Sequence, residues 1–171
     1  MSIAEKRLAD LGLQLFDDDV RIQVVGNKPK GETPYRTGRG ICKYKIHEDL
    51  LFISAMEPTG PDGKPAFVGR LGGELSVEEG YRAARLVAIN MLTIIKDALG
   101  DLDNVECILK VYALVNGVPG FGDLPQVADG FTDLMTEVFG ERGMHARSDM
   151  GATNLNNNVP IVCDAIIQIR K

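Results

Sequence analysis

The sequence predicts an α+β fold in which one mixed β-sheet carries two long helices on a single face. Two segments with helical spacing of apolar residues are each followed by a strand-like segment, and further strands precede and follow this order. Helices and strands in such an order commonly form one helix layer on one sheet. The 171 residues suit one domain, and a hydrophobic share of 44% can form its core. We therefore expect a single domain over 1–171, with 1–30 as an N-terminal extension.

The first part of the chain is predicted to contain short elements separated by irregular segments. Residues 3–11 have the amphipathic spacing of a short helix that ends at Gly12. Alternating or β-branched residues predict three strands: Val20–Val25, Leu50–Ala55 and a weaker one near Ile41–Ile46. Two segments rich in Gly and Pro are predicted to be irregular: 26–40 and 57–73.

The two long helices have clear start and stop signals. The first begins at a capping box, Ser76-Val77-Glu78-Glu79, in which the Ser hydroxyl and the Glu carboxylate satisfy exposed amides. Apolar residues recur at helical spacing behind it as far as Gly100, a typical stop. The second helix is predicted between Asp123, as its N-cap, and Gly140. The remaining strands are predicted at Val105–Val115, Ala146–Ala152 and Pro160–Ile169.

Composition excludes several classes of function. The formal net charge is -5 and Lys and Arg form no run, which disfavours binding to nucleic acid. No stretch approaches the roughly 20 apolar residues that a membrane span requires, and the N-terminal residues lack the apolar segment of a signal peptide. The cysteines Cys42, Cys107 and Cys163 have no disulfide or zinc spacing, so we expect buried thiols in a reducing compartment. The expected location is the cytoplasm.

Sequence motifs for nucleotide, metal or serine-nucleophile chemistry are missing from the chain. It contains no P-loop, GxGxxG, GxSxG or HExxH pattern. The two histidines, His47 and His145, lie far apart without metal-ligand spacing. The acidic triplet 17–19 is more typical of a solvated loop than of a metal site. These residues therefore indicate no metal centre.

Arg147 is the residue that best indicates a functional site. It stands in a strand-like segment between a helix and the last strand. Because a buried unpaired charge is costly, its guanidinium must reach solvent or meet an anion. Two interpretations are open. Arg147 is either a surface residue paired with Asp149 or Asp164, or a fixed guanidinium that binds a small carboxylate through two parallel hydrogen bonds.

Several short segments, in their order and spacing, resemble the Rid family of reactive-intermediate deaminases, also called YjgF-like or L-PSP endoribonuclease-like. Before and on the first long helix the matching segments are Thr33-Pro34-Tyr35, Leu50-Leu51-Phe52-Ile53-Ser54-Ala55 and Gly80-Tyr81-Arg82-Ala83-Ala84-Arg85-Leu86. After it they are Leu109-Lys110-Val111-Tyr112, Ala146-Arg147-Ser148 and Val162-Cys163-Asp164-Ala165-Ile166. They extend from about residue 33 to the C-terminus. The chain is most similar to a longer bacterial branch with an added N-terminal helix.

This resemblance implies one Rid-like domain with a chorismate-mutase-like α+β fold. It also implies a homotrimer in which sheets line a central barrel and ligand clefts lie between subunits. The implied activity resembles that of a 2-iminobutanoate/2-iminopropanoate deaminase, which hydrolyses 2-imino acids to 2-keto acids and ammonia. The implied partner is a small carboxylate, and no metal or cofactor is needed.

The resemblance also assigns roles to individual residues. Arg147 matches the arginine that binds the substrate carboxylate, and Tyr35 matches the tyrosine that closes the pocket; these are the implied catalytic residues. Ser54 matches a serine of the ligand pocket. Asp149 stands two residues after the arginine, where a backbone carbonyl is thought to act. Arg147, Ser54 and Asp149 are therefore the implied substrate-binding residues.

The chain departs from the family pattern at two positions. Val162 stands where the family has a glutamate that helps to position the attacking water, and loss of a general acid/base typically slows a reaction by about 10²–10⁴-fold. The family asparagine aligns near Ala128, with Asp129 beside it. Two functions therefore remain open: an imine deaminase, or a non-enzymatic trimer that binds a small carboxylate or regulates. The acidic charge balance disfavours the ribonuclease activity of the older family name.

Overall fold

The computed structural model describes residues 2–16 and 42–170. The helices in these ranges are α1 (Ile3–Asp10), α2 (Val77–Leu99) and α3 (Leu124–Phe139). The strands are β1 (Tyr44–His47), β2 (Leu50–Met56), β3 (Val105–Asn116), β4 (Ala146–Ala152) and β5 (Ile161–Ile169). Short 3-10 helices are formed by Leu102–Asn104, Gly140–Gly143 and Asn156–Asn158. The predicted strand Val20–Val25, the segment 26–40, the acidic triplet 17–19 and Tyr35 lie outside the described residues.

The strands form one mixed sheet in the order β1-β2-β5-β3-β4. The pairs β1–β2, β2–β5 and β3–β5 are antiparallel, whereas β3 and β4 run parallel. Parallel neighbours need a crossover connection, and α3 supplies it between β3 and β4. The result is a β-α-β unit with β4 at one edge of the sheet that the described residues form. The predicted α+β architecture with one mixed sheet is confirmed.

The two faces of the sheet differ in what covers them. Residues such as Val111, Ala113 and Ile167 are fully buried and belong to the same core cluster as the apolar residues of α2 and α3. Because side chains alternate along a strand, the intervening residues point to the opposite side. We call this side the open face and define it by Phe52, Lys110, Tyr112, Asp164 and Ile166. Both long helices therefore lie on one face, as the sequence predicts.

Helix α2 begins and ends as its sequence predicts. The Ser76 hydroxyl accepts from the Glu79 amide at 3.2 Å, and the Glu79 carboxylate accepts from the Ser76 amide at 2.8 Å. These bonds satisfy amides that the first helical turn leaves without partners. Gly100 follows the last turn with a φ of 74°, a conformation that favours glycine. Local sequence is sufficient to explain both ends of this helix.

Helix α3 packs against α2 through a close approach at Gly130. A Cβ built at Gly130 would lie 2.1 Å from the backbone oxygen of Tyr81, so no larger residue fits at this distance. The predicted N-cap of α3 is only partly right. The helix does begin after Asp123, but that side chain makes no capping hydrogen bond, and Pro125 occupies the first turn instead.

The burial of the cysteines and the length of the helices can be compared with the sequence predictions. All three cysteines are free thiols. Cys163 is buried as predicted, but the prediction of burial is wrong for Cys42 and Cys107, which are partly exposed. Burial raises the pKa of the Cys163 thiol far above its usual range. Within residues 2–16 and 42–170, no helix combines the length and apolar character that crossing a bilayer requires.

Candidate functional site

Strand β4 places Arg147 beneath α3. In the parallel pairing with β3, Arg147 lies opposite Val111 and Asp149 opposite Ala113. Both partners are fully buried on the helix-covered face, so Arg147 and Asp149 point toward the helix layer. The side chain of Arg147 is 15% exposed. Its charge is therefore held between an edge strand and a helix rather than in bulk solvent.

One stripe of α3 supplies the partners of the guanidinium. Pro125, Asp129 and Thr132 recur at i, i+4 and i+7, which places them on the same side of the helix. Arg147 Nη1 donates to Thr132 Oγ1 at 2.7 Å. Arg147 Nη2 donates to Asp129 Oδ1 at 2.8 Å and to the carbonyl oxygen of Pro125 at 3.2 Å. These contacts fix the plane and direction of the guanidinium.

A second carboxylate lies on the strand side of the same guanidinium. Asp149 Oδ1 is 2.8 Å from Arg147 Nε, and it is buried without a well-aligned hydrogen bond, so the contact is an ion pair. Burial acts to lower the pKa of Arg147, but the hydrogen bond to Asp129 and the charge of Asp149 outweigh it, and the pKa is raised. Arg147 therefore remains a cation that faces two carboxylates.

The partners of Arg147 differ in their exposure. Thr132 and Asp149 are half-buried, whereas Pro125 and Asp129 belong to the surface. The side chain of Asp129 is 51% exposed and that of Asp149 only 16%. We call the Nη2 atom of Arg147, with Asp129 and the carbonyl of Pro125, the exposed corner. A small molecule that approaches Arg147 from solvent meets this corner first.

His145 supports the inner side of the site. Its Nδ1 is 2.7 Å from the carbonyl oxygen of Gly143, which can only accept, so Nδ1 carries the proton. In the neutral ring Nε2 then accepts from Thr132 Oγ1 at 3.1 Å, while that oxygen accepts from Arg147. Burial, and to a lesser extent Arg147, lowers the pKa of His145, against the hydrogen bond to Gly143. His145 is therefore neutral near pH 7 and orients the hydroxyl that holds Arg147.

The structure brings only part of the predicted site together. Arg147 and Asp149 are in contact, whereas Ser54 lies on β2, three strand positions from β4. Three spacings correspond to about 14 Å. The Ser54 hydroxyl donates to the carbonyl oxygen of Cys42 at 2.7 Å. Of the two ion pairs weighed for Arg147, the one with Asp149 is present, and Asp164 lies on the open face. Tyr35 lies outside the described residues.

Ser54 lines a shallow cavity of about 330 Å³ on the open face. Asp164 contributes its carboxyl group to this cavity, and burial raises the pKa of that carboxyl, while the charge of Lys110 acts to lower it. Lys110 Nζ donates to Ser148 Oγ at 2.5 Å. Val162 is 7% exposed and offers no polar atom from its side chain to either face. The cavity is lined by Cys42, Tyr44, Lys45, Phe52, Ile53, Ser54, Asp164, Ala165 and Ile166.

Sequence reasoning identified Arg147 but missed its supporting residues. Thr132 and His145 were assigned no role, and Asp129 was noted only for its place in the family alignment. A usable signal was present: the polar residues Asp129 and Thr132, three positions apart, flank the buried stripe of α3 in the helix before the strand that carries Arg147. Among the residues that the structure describes, no group of His, Cys, Asp and Glu side chains could hold a metal ion.

Comparisons with known proteins support the resemblance in the sequence. Residues 40–167 match the family model described as YjgF/chorismate mutase-like, putative endoribonuclease. The chain is 37% identical to Protein TCP17 of Trypanosoma cruzi over 120 residues, which cover 70% of this chain and 74% of that protein. It is 32% identical to the crystal structure of the protein Atu1372 from Agrobacterium tumefaciens, with a TM-score of 0.81 and coverage of 98% of this chain and 92% of that chain.

A more distant structure shares the fold. Escherichia coli TdcF, crystallised with bound serine, superposes with a TM-score of 0.56 at 17% identity, covering 92% of this chain and 99% of that chain. TdcF shows that a protein with this fold binds a small ligand. The family model alone spans most of the chain, including the β-α-β unit that holds Arg147. The chain therefore belongs to the YjgF/chorismate mutase-like family.

Proposed function

We propose that this protein is an imine deaminase that hydrolyses 2-imino acids to 2-keto acids and ammonia, with Arg147 binding the substrate carboxylate. The observation that carries the proposal is the guanidinium of Arg147, held by Thr132 on its inner side and reachable from solvent at the exposed corner. A planar cation fixed in this way offers an incoming carboxylate a defined direction of approach. Holding a short-lived substrate in one orientation is itself a source of rate enhancement.

We further propose that the active form is a homotrimer. Within one chain Ser54 and Arg147 lie on different faces of the sheet, three strand positions apart, so one copy does not bring both to one ligand. Strand β4 is an edge strand among the described residues, and a second copy placed along it would approach the exposed corner. Mass measurement in solution tests this: a trimer is expected, and a stable monomer at assay concentration would contradict it.

The deaminase is tested with an amino-acid oxidase that produces the 2-imino acid in situ, while loss of the imine and release of ammonia are followed. The protein is expected to accelerate imine loss. Arg147→Ala is expected to lower kcat/KM by about 100-fold or more, because the substrate loses its orientation. Arg147→Lys keeps the charge but not the planar fork, so an intermediate activity is expected.

The matched control is Arg170→Ala, which removes a half-exposed arginine paired with Glu106, away from Arg147. This variant should retain wild-type activity. Because Arg147→Ala leaves the half-buried Asp149 without its cation, circular dichroism is recorded for every variant. Unaccelerated imine loss in the presence of intact wild-type trimer would refute the deaminase proposal.

A second function is favoured by one observation. Val162 is nearly buried and occupies the position of the family glutamate, so the chain lacks that carboxylate for water activation. A non-enzymatic trimer that binds a small carboxylate or regulates would need only the site at Arg147. For such a trimer, calorimetry should detect binding of 2-ketobutyrate to wild type and no binding to Arg147→Ala. The lifetime of the imine should be the same with and without the protein.

A further inference from the structure

The Arg147 site contains more acidic side chains than basic ones. One guanidinium faces two carboxylates, Asp129 at 2.8 Å and Asp149 at 2.8 Å, and the buried His145 is neutral near pH 7. The cluster of these side chains therefore carries a net negative charge. A ligand that brings only a carboxylate would be repelled by this cluster, because like charges at short distance are unfavourable where solvent is partly excluded.

Geometry distinguishes the two carboxylates. Asp149 lies on the same strand as Arg147, and its Oδ1 is buried beside the guanidinium. Asp129 lies on the surface of α3, half-exposed, and accepts a hydrogen bond from Nη2. An incoming carboxylate that forms two parallel hydrogen bonds with the guanidinium, one of them from Nη2, must take the position of Asp129. The side chain of Asp129 can then turn to solvent but stays within reach of the bound molecule, because its helix does not move.

We propose that Asp129 determines specificity at this site by selecting small carboxylates that carry a positively charged nitrogen on the adjacent carbon. Its carboxylate gives up Nη2 to the ligand carboxylate and pairs instead with the ligand nitrogen, so a charged donor meets a charged acceptor. Protonated 2-imino acids and 2-amino acids have this chemistry, and 2-keto acids do not. This inference rests on the proposed function, because it assigns the substrate class of the same guanidinium.

The test uses two stable probes of the same carbon skeleton, 2-aminobutyrate and 2-ketobutyrate, which differ in the charged nitrogen. Their dissociation constants are measured by calorimetry at pH 7.5 on the assembled full-length protein. Wild type is expected to bind 2-aminobutyrate more tightly. Asp129→Asn removes the charge but keeps the shape. It is expected to weaken binding of 2-aminobutyrate and strengthen binding of 2-ketobutyrate, changing the ratio of the two constants by roughly 1.5- to fivefold, the range of an exposed ion pair.

The matched control is Asp133→Asn, the same change one turn along the same helix, where the carboxylate accepts from the hydroxyl of Tyr81 instead. It should leave the ratio unchanged. Suppose that both probes bind, that binding depends on Arg147, and that Asp129→Asn has the wild-type ratio of dissociation constants. The inference about Asp129 is then overturned, whereas the assignment of an anion site at Arg147 is retained. If neither probe binds wild type or either Asp→Asn variant, the inference and the Arg147 site both fall. Failure of imine turnover alone would leave this result intact.

Discussion

The contact between α2 and α3 at Gly130 allows a stability prediction to be worked from the structure. Replacing Gly130 by Ala places a Cβ 2.1 Å from the carbonyl oxygen of Tyr81 and 2.9 Å from its carbon. A carbon and a carbonyl oxygen approach no closer than about 3.3 Å, so the helices must separate by about 1 Å. A gap of that size removes roughly a quarter to a half of the dispersion attraction between the facing side chains.

The magnitude follows from two opposing effects. Overpacking a core costs about 1–3 kcal/mol, and the upper end applies because the obstructing atom is backbone and has no rotamer to change. Alanine recovers about 1 kcal/mol of helix propensity over glycine. We expect a net loss of about 2 kcal/mol, which lowers Tm by about 4–8 °C in a chain of this size.

Thermal unfolding followed by circular dichroism measures this change, with Gly122→Ala as the control. A Cβ at Gly122 meets nothing within 4 Å, so its Tm should stay near that of wild type. Gly130 also lies between Asp129 and Thr132 in sequence, so shifting α3 should weaken 2-aminobutyrate binding in the same variant. A Gly130→Ala protein as stable as wild type would refute the reasoning about the helix contact.

Two further predictions concern local contacts. Ser76→Ala removes the hydroxyl of the α2 capping box and should lower the free energy of unfolding in urea by about 1 kcal/mol; no loss would mean that solvent caps the helix equally well. The pKa of His145 is lowered in the folded protein, so the unfolded chain binds more protons and stability is lost as pH falls below about 6.5. His145→Gln should flatten this loss between pH 7.5 and pH 5, and a His145→Gln variant with the wild-type slope would contradict the assignment.

The parts of the fold that can be predicted from the sequence are those determined by neighbouring residues, such as helix ends and strands. The ends of α2 are determined by Ser76, Glu79 and Gly100, whose effects act within one helical turn, so they can be seen in the sequence. Strands β3 and β5 are rich in apolar and β-branched residues and were predicted to within a residue or two. Asp123 illustrates the limit, because its residue type favours a cap but its side chain makes no capping hydrogen bond.

The candidate site was predictable only in its central residue. An arginine in a strand-like segment between a helix and the last strand is conspicuous because its charge must reach solvent or meet an anion. Its partners could not be read in the same way. Thr132 and Asp129 are ordinary polar residues of an amphipathic helix, and their contact with Arg147 depends on where α3 crosses β4.

The sequence is sufficient to predict an α+β domain with one sheet, two long helices and an arginine whose charge must reach solvent or meet an anion. The periodicity of apolar residues, the capping residues and the charges are local or single-residue properties, so they can be recognised in the sequence. The tertiary structure is needed to show that this arginine already faces two carboxylates. One of them lies on its own strand, and the other is exposed on α3. That arrangement is set by the parallel register of β3 and β4 and the packing of α3, which bring together residues distant along the chain. The charge of Arg147 is therefore compensated within the chain by Asp129 and Asp149.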